Sequence, residues 1–390
     1  NKKVKKKKHV NFYGITIETR TNKKDNIFFA IKGKKNDGNK FIKDAIKKGA
    51  GCVVTSLTFK KKSKKIIKVK NPVSFLNHFA KLKREQSSAN IIAVTGSAGK
   101  TSFKNLLKDL LKNFGKTYSS PKSFNNHYGV PISISNLTYD DKFGVFEVGM
   151  SKAGEIKKLS NIIKPHIGVI TNIGEAHIEN FKNINGIASA KSEIIEKIEK
   201  GGTIILNKDD KFFNFLYKKA KTSNLKICSF GIQKKADIFL EKLIRTEETS
   251  ELYLKINNRK ISFKIKDLNI YNVLAAIAVL NVLKLDLKKI QTILKNLELS
   301  EGRGKKHLIS RYNKKFKLID ESYNANPLSV KNAIKNLSLL KKKKFKKYLL
   351  LGDMLELGAK SKKYHEELSK VINNSDIDKV FVKGKKSIFK

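Results

Sequence analysis

Short apolar runs alternate with amphipathic stretches along nearly the whole chain, and the alternation changes character twice. Over residues 1–86, apolar runs at 15–17, 26–31 and 52–55 flank a helical pattern at 41–48, and Phe75, Leu76, Phe79 and Leu82 recur at helical spacing. This predicts a small N-terminal α/β domain. From residue 90 the runs become apolar without in-out alternation, at 91–95, 145–148, 167–171, 203–206 and 226–230, with helices expected from Lys100, near Glu155 and over 184–199. Strands of that kind, joined by amphipathic helices, are buried on both faces, so a doubly wound parallel sheet is predicted for a central domain, 87–299. A strand-rich patch at 238–263 and helices at 271–283 and 287–297 close it. The third unit, 300–390, predicts strands at 316–319, 348–351 and 380–382 and helices at 327–340 and 362–372. Its pattern stops where an α/β domain would continue, so this domain is expected to be incomplete; the opening Asn, in place of Met, raises the same expectation for the N-terminus.

In a sheet of this kind ligands sit at the carboxyl ends of the strands. The first central strand runs into Thr95-Gly96-Ser97-Ala98-Gly99-Lys100-Thr101-Ser102. Strand, tight turn, Gly-Lys-Thr and helix start together make a phosphate loop: backbone N–H groups and the helix N-terminus cradle phosphates, Lys100 reaches the outer ones, and the Thr101 hydroxyl can ligate magnesium. ATP and Mg2+ are therefore the expected cofactors. Val94 stands where the usual spacing wants glycine, so the loop is a shortened Gly-x-x-Gly-Lys-Thr form.

Charge complicates this picture before it sharpens it. The 390 residues carry 84 Lys+Arg against 34 Asp+Glu, a net +50, which invites nucleic acid. The lysines, however, spread over nearly every tolerant position, without the basic and aromatic stripe that stacks bases. The charge is read as a composition bias that attracts small anionic substrates, with no nucleic-acid partner. A hydrophobic share of 40% supports several cores. Cys52 and Cys228 lie far apart in apolar runs, which suggests two buried thiols in a reducing cytosol rather than a metal or redox pair. No apolar run approaches the roughly 18 residues of a membrane span, and residues 1–8 lack the apolar core of a signal peptide. A cytoplasmic protein without integral membrane association is expected.

The shortened loop, on a middle domain flanked by two others, resembles the Mur ligase family. Phe146-Glu147-Val148-Gly149-Met150, Gly154-Glu155-Ile156 and Thr171-Asn172-Ile173-Gly174-Glu175-Ala176-His177-Ile178-Glu179 are similar to family blocks. Asp320-Glu321-Ser322-Tyr323-Asn324-Ala325-Asn326-Pro327 and Leu351-Gly352-Asp353-Met354-Leu355-Glu356-Leu357-Gly358 resemble the branch that joins D-alanyl-D-alanine to UDP-N-acetylmuramoyl-tripeptide. A sister ligase adding the third amino acid or a glutamate chain would carry a different C-terminal block. The resemblance implies a bacterial, ATP-dependent, monomeric amide ligase with a UDP-binding N-terminal domain and a Rossmann-like C-terminal domain.

The same resemblance implies roles for individual residues. Lys100, Glu147, His177 and Lys191 form the catalytic set; Thr101, Glu147, His177 and Lys191 hold metal, the last as a lysine carbamylated by carbon dioxide, whose carbamate supplies anionic oxygen. Magnesium's preference for oxygen ligands suits the carboxylate and hydroxyl, while an imidazole is unusual. Asn272 would lie against adenine, although Leu268-Asn269 stands where the family has His-Asn. Arg303 and Asp320 would contact phosphate and ribose, letting the C-terminal domain close over ATP. Asn125 and Asn126 would read the nucleotide-sugar peptide, Tyr323, Asn324 and Asn326 would bind substrate, and Thr19, Arg20, Asp37 and Gly38 would serve the uridine side. There Glu18-Thr19-Arg20 replaces Asp-Ser-Arg and Asn39 replaces the common His.

Overall fold

The protein is described from a computed structural model over residues 12–33, 36–59, 63–232, 236–246, 249–266, 268–340 and 345–384. The lysine-rich opening read for a signal peptide lies outside them.

The N-terminal unit is a four-stranded parallel sheet in chain order: β1 (Gly14–Thr16), β2 (Asn26–Phe29), β3 (Cys52–Thr55) and β4 (Ile66–Lys68). Strand β4 has only Ile66 and Ile67 between lysines, too short a run to announce itself; its pairing with β3 makes it a strand. Helix α1 (Ile42–Lys47) and helix α2 (Pro72–Glu85) complete the unit. Proline at the first position of α2 is well placed, and Asn71 caps it by accepting from the Val73 and Ser74 N–H groups.

Nine strands form the central sheet: β5 (Asn90–Thr95), β6 (Thr117–Ser119), β7 (Phe143–Glu147), β8 (Ile167–Ile170), β9 (Thr203–Asn207), β10 (Lys226–Gly231), β11 (Ile238–Arg245), β12 (Ser250–Ile256) and β13 (Arg259–Ile265). Their order is β13-β12-β11-β10-β9-β8-β5-β7-β6. The seven strands from β6 to β11 pair in parallel, and β12 and β13 continue from β11 as an antiparallel meander, so the sheet is mixed at one edge. The meander's burial alternates, as a sheet with one solvated face should.

Central helices cover both faces: α3 (Lys100–Leu111), α4 (Gly129–Ser135), α5 (Glu155–Ile163), α6 (Ile184–Ser192), α7 (Phe213–Thr222), α8 (Ile270–Val282) and α9 (Gln291–Asn296). Ile91 and Ala93 of β5 face a core shared with α4, α5, α6 and α7, whereas Ile92 and Val94 face one shared with α3, α8 and α9. This two-sided burial is the doubly wound arrangement expected from the continuous apolar strands. Two expected helices are shorter than their apolar periodicity. Helix α6 stops at Ser192, whose hydroxyl turns back onto the Ser189 carbonyl, and a 3-10 turn, Ile195–Lys197, follows. The 287–297 pattern divides into a 3-10 turn, Leu287–Ile290, and α9.

The C-terminal residues form a hairpin, β14 (Lys305–Arg311) with β15 (Lys314–Asp320), and a parallel pair, β16 (Tyr348–Gly352) with β17 (Lys379–Lys383). Helices α10 (Pro327–Ser338) and α11 (Ser361–Asn373) lie between. The hairpin turns on Tyr312 and Asn313, both at positive φ (52° and 57°), the geometry that matches strand twist in two-residue loops. Buried Arg84 joins the first two units, its Nε and Nη2 donating to the Ile163 and Lys164 carbonyls, each at 2.7 Å. Asn136 adds a second tie by accepting from the Ile15 N–H (2.9 Å) and donating to the Ile15 carbonyl (3.0 Å).

Candidate active site

Strand β5 delivers the phosphate loop to the carboxyl edge of the sheet, and the two glycines are dictated by space. Gly96 sits at φ 152°, where a Cβ would fall 1.9 Å from the Thr171 Oγ1; Gly99, at φ 82°, is the left-handed cap of α3. The loop after β8 braces the turn. The Thr171 hydroxyl and the Asn172 side-chain amide donate to the Ala98 carbonyl, while the Ala98 N–H donates to Asn172 Oδ1. Ser97 exchanges hydrogen bonds with the Gly174 backbone, its hydroxyl both donating to the carbonyl and accepting from the N–H at 2.8 Å. Thr95 is buried and Ser102 half-buried on either side.

Lys100 and Lys191 converge on one atom: their ammonium groups donate to the Gly96 carbonyl at 2.8 and 3.1 Å. Lys191 is buried, and that burial, followed by the neighbouring Lys100 charge, holds its pKa well below the ordinary lysine value. Burial lowers Lys100 too, against an opposing pull from Glu147. The buried Glu147 carboxylate closes β7 and accepts from the Thr101 hydroxyl (2.6 Å) and the Asn125 side-chain amide (2.7 Å). His177, at φ 58°, places Nδ1 2.6 Å from the Glu356 carboxylate; burial lowers its pKa, with Glu356 opposing and Lys191 and Lys100 assisting.

The C-terminal unit meets this cluster directly. Asn326 Nδ2 donates to the Ser97 carbonyl (3.3 Å), the Tyr323 hydroxyl lies 2.6 Å from Ser123 Oγ, and the Arg303 guanidinium stacks 3.9 Å over the Tyr323 ring. Asn326 also accepts from the Ser329 N–H as the cap of α10, so its buried side chain is fully engaged in holding structure. Asn324 is exposed, and among the described residues its Oδ1 accepts only from the adjacent Ala325 N–H. Asp320 accepts from the Gly302 and Ser322 N–H groups, and the Ser322 contacts chiefly hold its carboxyl below the usual range. Asn272, buried at the start of α8, lies beside the loop: a Cβ on Gly99 would be 3.1 Å from its Oδ1.

Asn126 Oδ1 accepts from the Tyr128 and Gly129 N–H groups in the turn that leads into α4. The flanking Phe124 and Tyr128 pack into the N-terminal core with Ile15, Phe29 and Leu76. The Asn125-Asn126 loop therefore runs from the N-terminal unit to Glu147. Thr19 and Arg20 follow β1, and Asp37 and Gly38 lie in the connection after β2, on the same carboxyl edge of the small sheet. The Asp37 carboxylate holds the Asn39 N–H and amide, and a Cβ on Gly38 would press within 2.7 Å of the Ile31 backbone. The Arg20 side chain, 87% exposed, is 4.0 Å from Glu18.

Three family models match the chain: the Mur ligase family catalytic domain over 11–84, the Mur ligase middle domain over 94–280, and the Mur ligase glutamate ligase domain over 307–388. The UDP-N-acetylmuramoyl-tripeptide--D-alanyl-D-alanine ligase of Rickettsia prowazekii is 35% identical over 96% of this chain and 83% of its own length. The chain belongs to the Mur ligase family. Among solved structures, MurF from Acinetobacter baumannii superposes on this Mur ligase with a TM-score of 0.84 at 28% identity, covering 94% of this chain and 80% of that one. MurF from Thermotoga maritima in complex with ADP does so with a TM-score of 0.81 at 27% identity, covering 96% and 85%.

Three residues around the Mur ligase site were not singled out from the sequence. Glu356 partners His177, Ser123 meets Tyr323, and Lys104 donates from α3 to the Ser120 and Lys122 carbonyls. Only Lys104 carried a local signal, a lysine on the apolar flank of a helix beside Phe103 and Leu107. The other two depend on contacts spanning 179 and 200 residues, the first counted from His177 to Glu356.

Proposed function

We propose that this chain joins D-alanyl-D-alanine to UDP-N-acetylmuramoyl-tripeptide at the expense of ATP, in the synthesis of peptidoglycan precursor. The observation that carries the proposal is the convergence of the Tyr323-to-Asn326 block, the Asn125 loop and Lys100 around one phosphate loop. Similarity to ligases named for that reaction supports the choice of substrates.

The tripeptide's terminal carboxylate oxygen attacks the γ-phosphorus of ATP, the bond to ADP breaks, and an acyl phosphate forms. The dipeptide amine then attacks the acyl carbon, phosphate leaves, and the amine's proton passes to solvent. A carboxylate is a weak nucleophile and the triphosphate is strongly anionic, so the protein's task is alignment and charge stabilisation. Lys100 supplies a cation at the loop, and the α3 N-terminus aims N–H groups at the phosphates. The carboxyl edge of the small sheet, with Thr19, Arg20, Asp37 and Gly38, takes the uridine side, and Asn125 with exposed Asn126 faces the peptide. Asn272 lies toward adenine; Arg303 and Asp320 bring phosphate and ribose contacts from the C-terminal unit.

The Thr101 hydroxyl against the Glu147 carboxylate is a donor set of hard oxygens beside Lys100, suited to Mg2+, with His177 at its margin. Bound magnesium would neutralise phosphate charge in the reacting complex. Lys191, with its lowered pKa, can present a neutral amine; the nitrogen bonds to the carbon of CO2, releases a proton, and becomes a carbamate able to offer oxygen to a second Mg2+.

ADP release by the purified protein tests the reaction: it should require both UDP-N-acetylmuramoyl-tripeptide and D-alanyl-D-alanine. Release that ignores the dipeptide would sink the substrate assignment, and stimulation by an oligonucleotide at physiological salt would favour a nucleic-acid ATPase. No helix among the described residues is long and apolar enough to cross a membrane. The proposed enzyme is a cytoplasmic monomer, the latter checked by sedimentation.

A further inference from the structure

Helix α3 buries one cation that the ligase chemistry leaves unused. Lys104 lies one helical turn beyond Lys100, on a helix whose other buried positions include Phe103, Leu106, Leu107, Leu110 and Leu111. Its side chain is 1% exposed, and its Nζ donates to the Ser120 carbonyl at 2.6 Å and the Lys122 carbonyl at 2.5 Å. Burying an ammonium is costly unless its hydrogen bonds are made, and a methionine of similar volume would fill the same space without that cost.

The charge is spent on one segment. Ser120 is buried, donates its N–H to the Val145 carbonyl, and accepts from the Glu147 N–H through its hydroxyl. Lys122 adopts a left-handed conformation, φ 46°, so the chain turns sharply where the ammonium grips it. Immediately beyond, Ser123 meets the Tyr323 hydroxyl, and Asn125 donates to Glu147. One amine on the phosphate-loop helix thus anchors the loop that touches both the Glu147 carboxylate and the C-terminal unit. Lys104 does not itself bond to any of the proposed ligand contacts.

We infer that Lys104 is a positioning residue, strapping residues 120–122 to the phosphate-loop helix so that Ser123 and Asn125 hold the peptide substrate's loop in register with bound ATP. This rests on the ligase reading above. A residue that only filled the core would leave substrate affinity unchanged when replaced by an apolar side chain of similar size; a strap would not.

Lys104→Met is the test, with wild-type enzyme measured alongside. The variant should melt at or above the wild-type temperature and bind an ATP analogue within about twofold, while kcat/KM for UDP-N-acetylmuramoyl-tripeptide falls about tenfold or more. Ser123→Ala should raise KM for that substrate in the same direction, and the double variant should lose less than the product of the two single losses. Unchanged kcat/KM in a folded Lys104→Met enzyme overturns the inference, as does a loss shared equally with ATP-analogue binding. Should Lys104→Met fail to fold, an unchanged KM in Ser123→Ala overturns it instead. Wild-type enzyme that makes no ligated product would show that the ligase reading, rather than the strap, is at fault.

Discussion

Two ammonium groups on one carbonyl oxygen would repel strongly if both kept full charge, and this crowding of Lys100 and Lys191 at Gly96 is the chemical signature of the site. Burial and Lys100 push Lys191 toward its neutral form, the form that can take up carbon dioxide. Lys191→Ala should therefore lose at least about 100-fold in turnover, a loss of the size seen when a charge-stabilising group is removed. A short carboxylic acid such as acetate should restore part of it, measured as ADP release with and without the acid. Lys104 gives a pH signature of a different kind. Its pKa is lowered from 10.5 to about 8, chiefly by burial, so between those values the unfolded chain holds a proton that the folded chain releases. Folding is then favoured as pH rises through that window, and the penalty for the buried charge is fully present below about 8. Urea titrations at pH 7 and above 9 should show Lys104→Met with a smaller alkaline gain in stability than wild type. An equal gain in both proteins would contradict that assignment.

Helix α10 links local sequence rules to the site. Asn326 is followed by Pro327 at the first helical position and by Ser329, whose hydroxyl returns to accept from the Asn326 N–H, so cap and box are complete. The same Asn326 side chain donates to the Ser97 carbonyl, and the helix start is thereby tied to the phosphate loop. Asn326→Ala should cost about 1 kcal/mol through the lost cap and raise KM for ATP; a loss of stability alone would separate the cap from the tie. At this scale the apolar periodicity was a good guide for β5, β7, β8, β9, β10, α3 and α8, whose buried runs are long. It was a poor guide for β4, β6 and α4. In α4, Gly129, Pro131 and two serines oppose helix, yet every position is buried, so packing between the first two units outweighs propensity.

Across the whole molecule, the N-terminal and central units share a buried guanidinium, the two hydrogen bonds of Asn136 to Ile15 and a continuous apolar cluster through Ile132. The C-terminal unit joins the central unit through the apolar cluster that takes in Ile334, Met354, Leu357 and Leu368, and adds polar contacts: Asn326 with Ser97, Tyr323 with Ser123, Glu356 with His177, and Lys360 with the Lys182 carbonyl. Arg84→Ala should destabilise the enzyme by about 3 kcal/mol, since charge-assisted bonds to two carbonyls are lost. It should weaken the nucleotide-peptide substrate more than ATP, measured by urea unfolding and separate binding titrations; equal weakening would place the defect in the central unit. The phosphate loop, the covered faces of the central sheet and the order of the three units follow from sequence alone, because they depend on residues within a turn or two of one another. That Lys191 shares a carbonyl with Lys100, that Glu147 is held by Thr101 and Asn125, and that Lys104 grips residues 120–122 were decided by tertiary structure. The physical reason is separation: local patterning sets how each segment buries its own side chains, whereas a polar contact between distant segments exists only once the sheet has brought their ends to one edge.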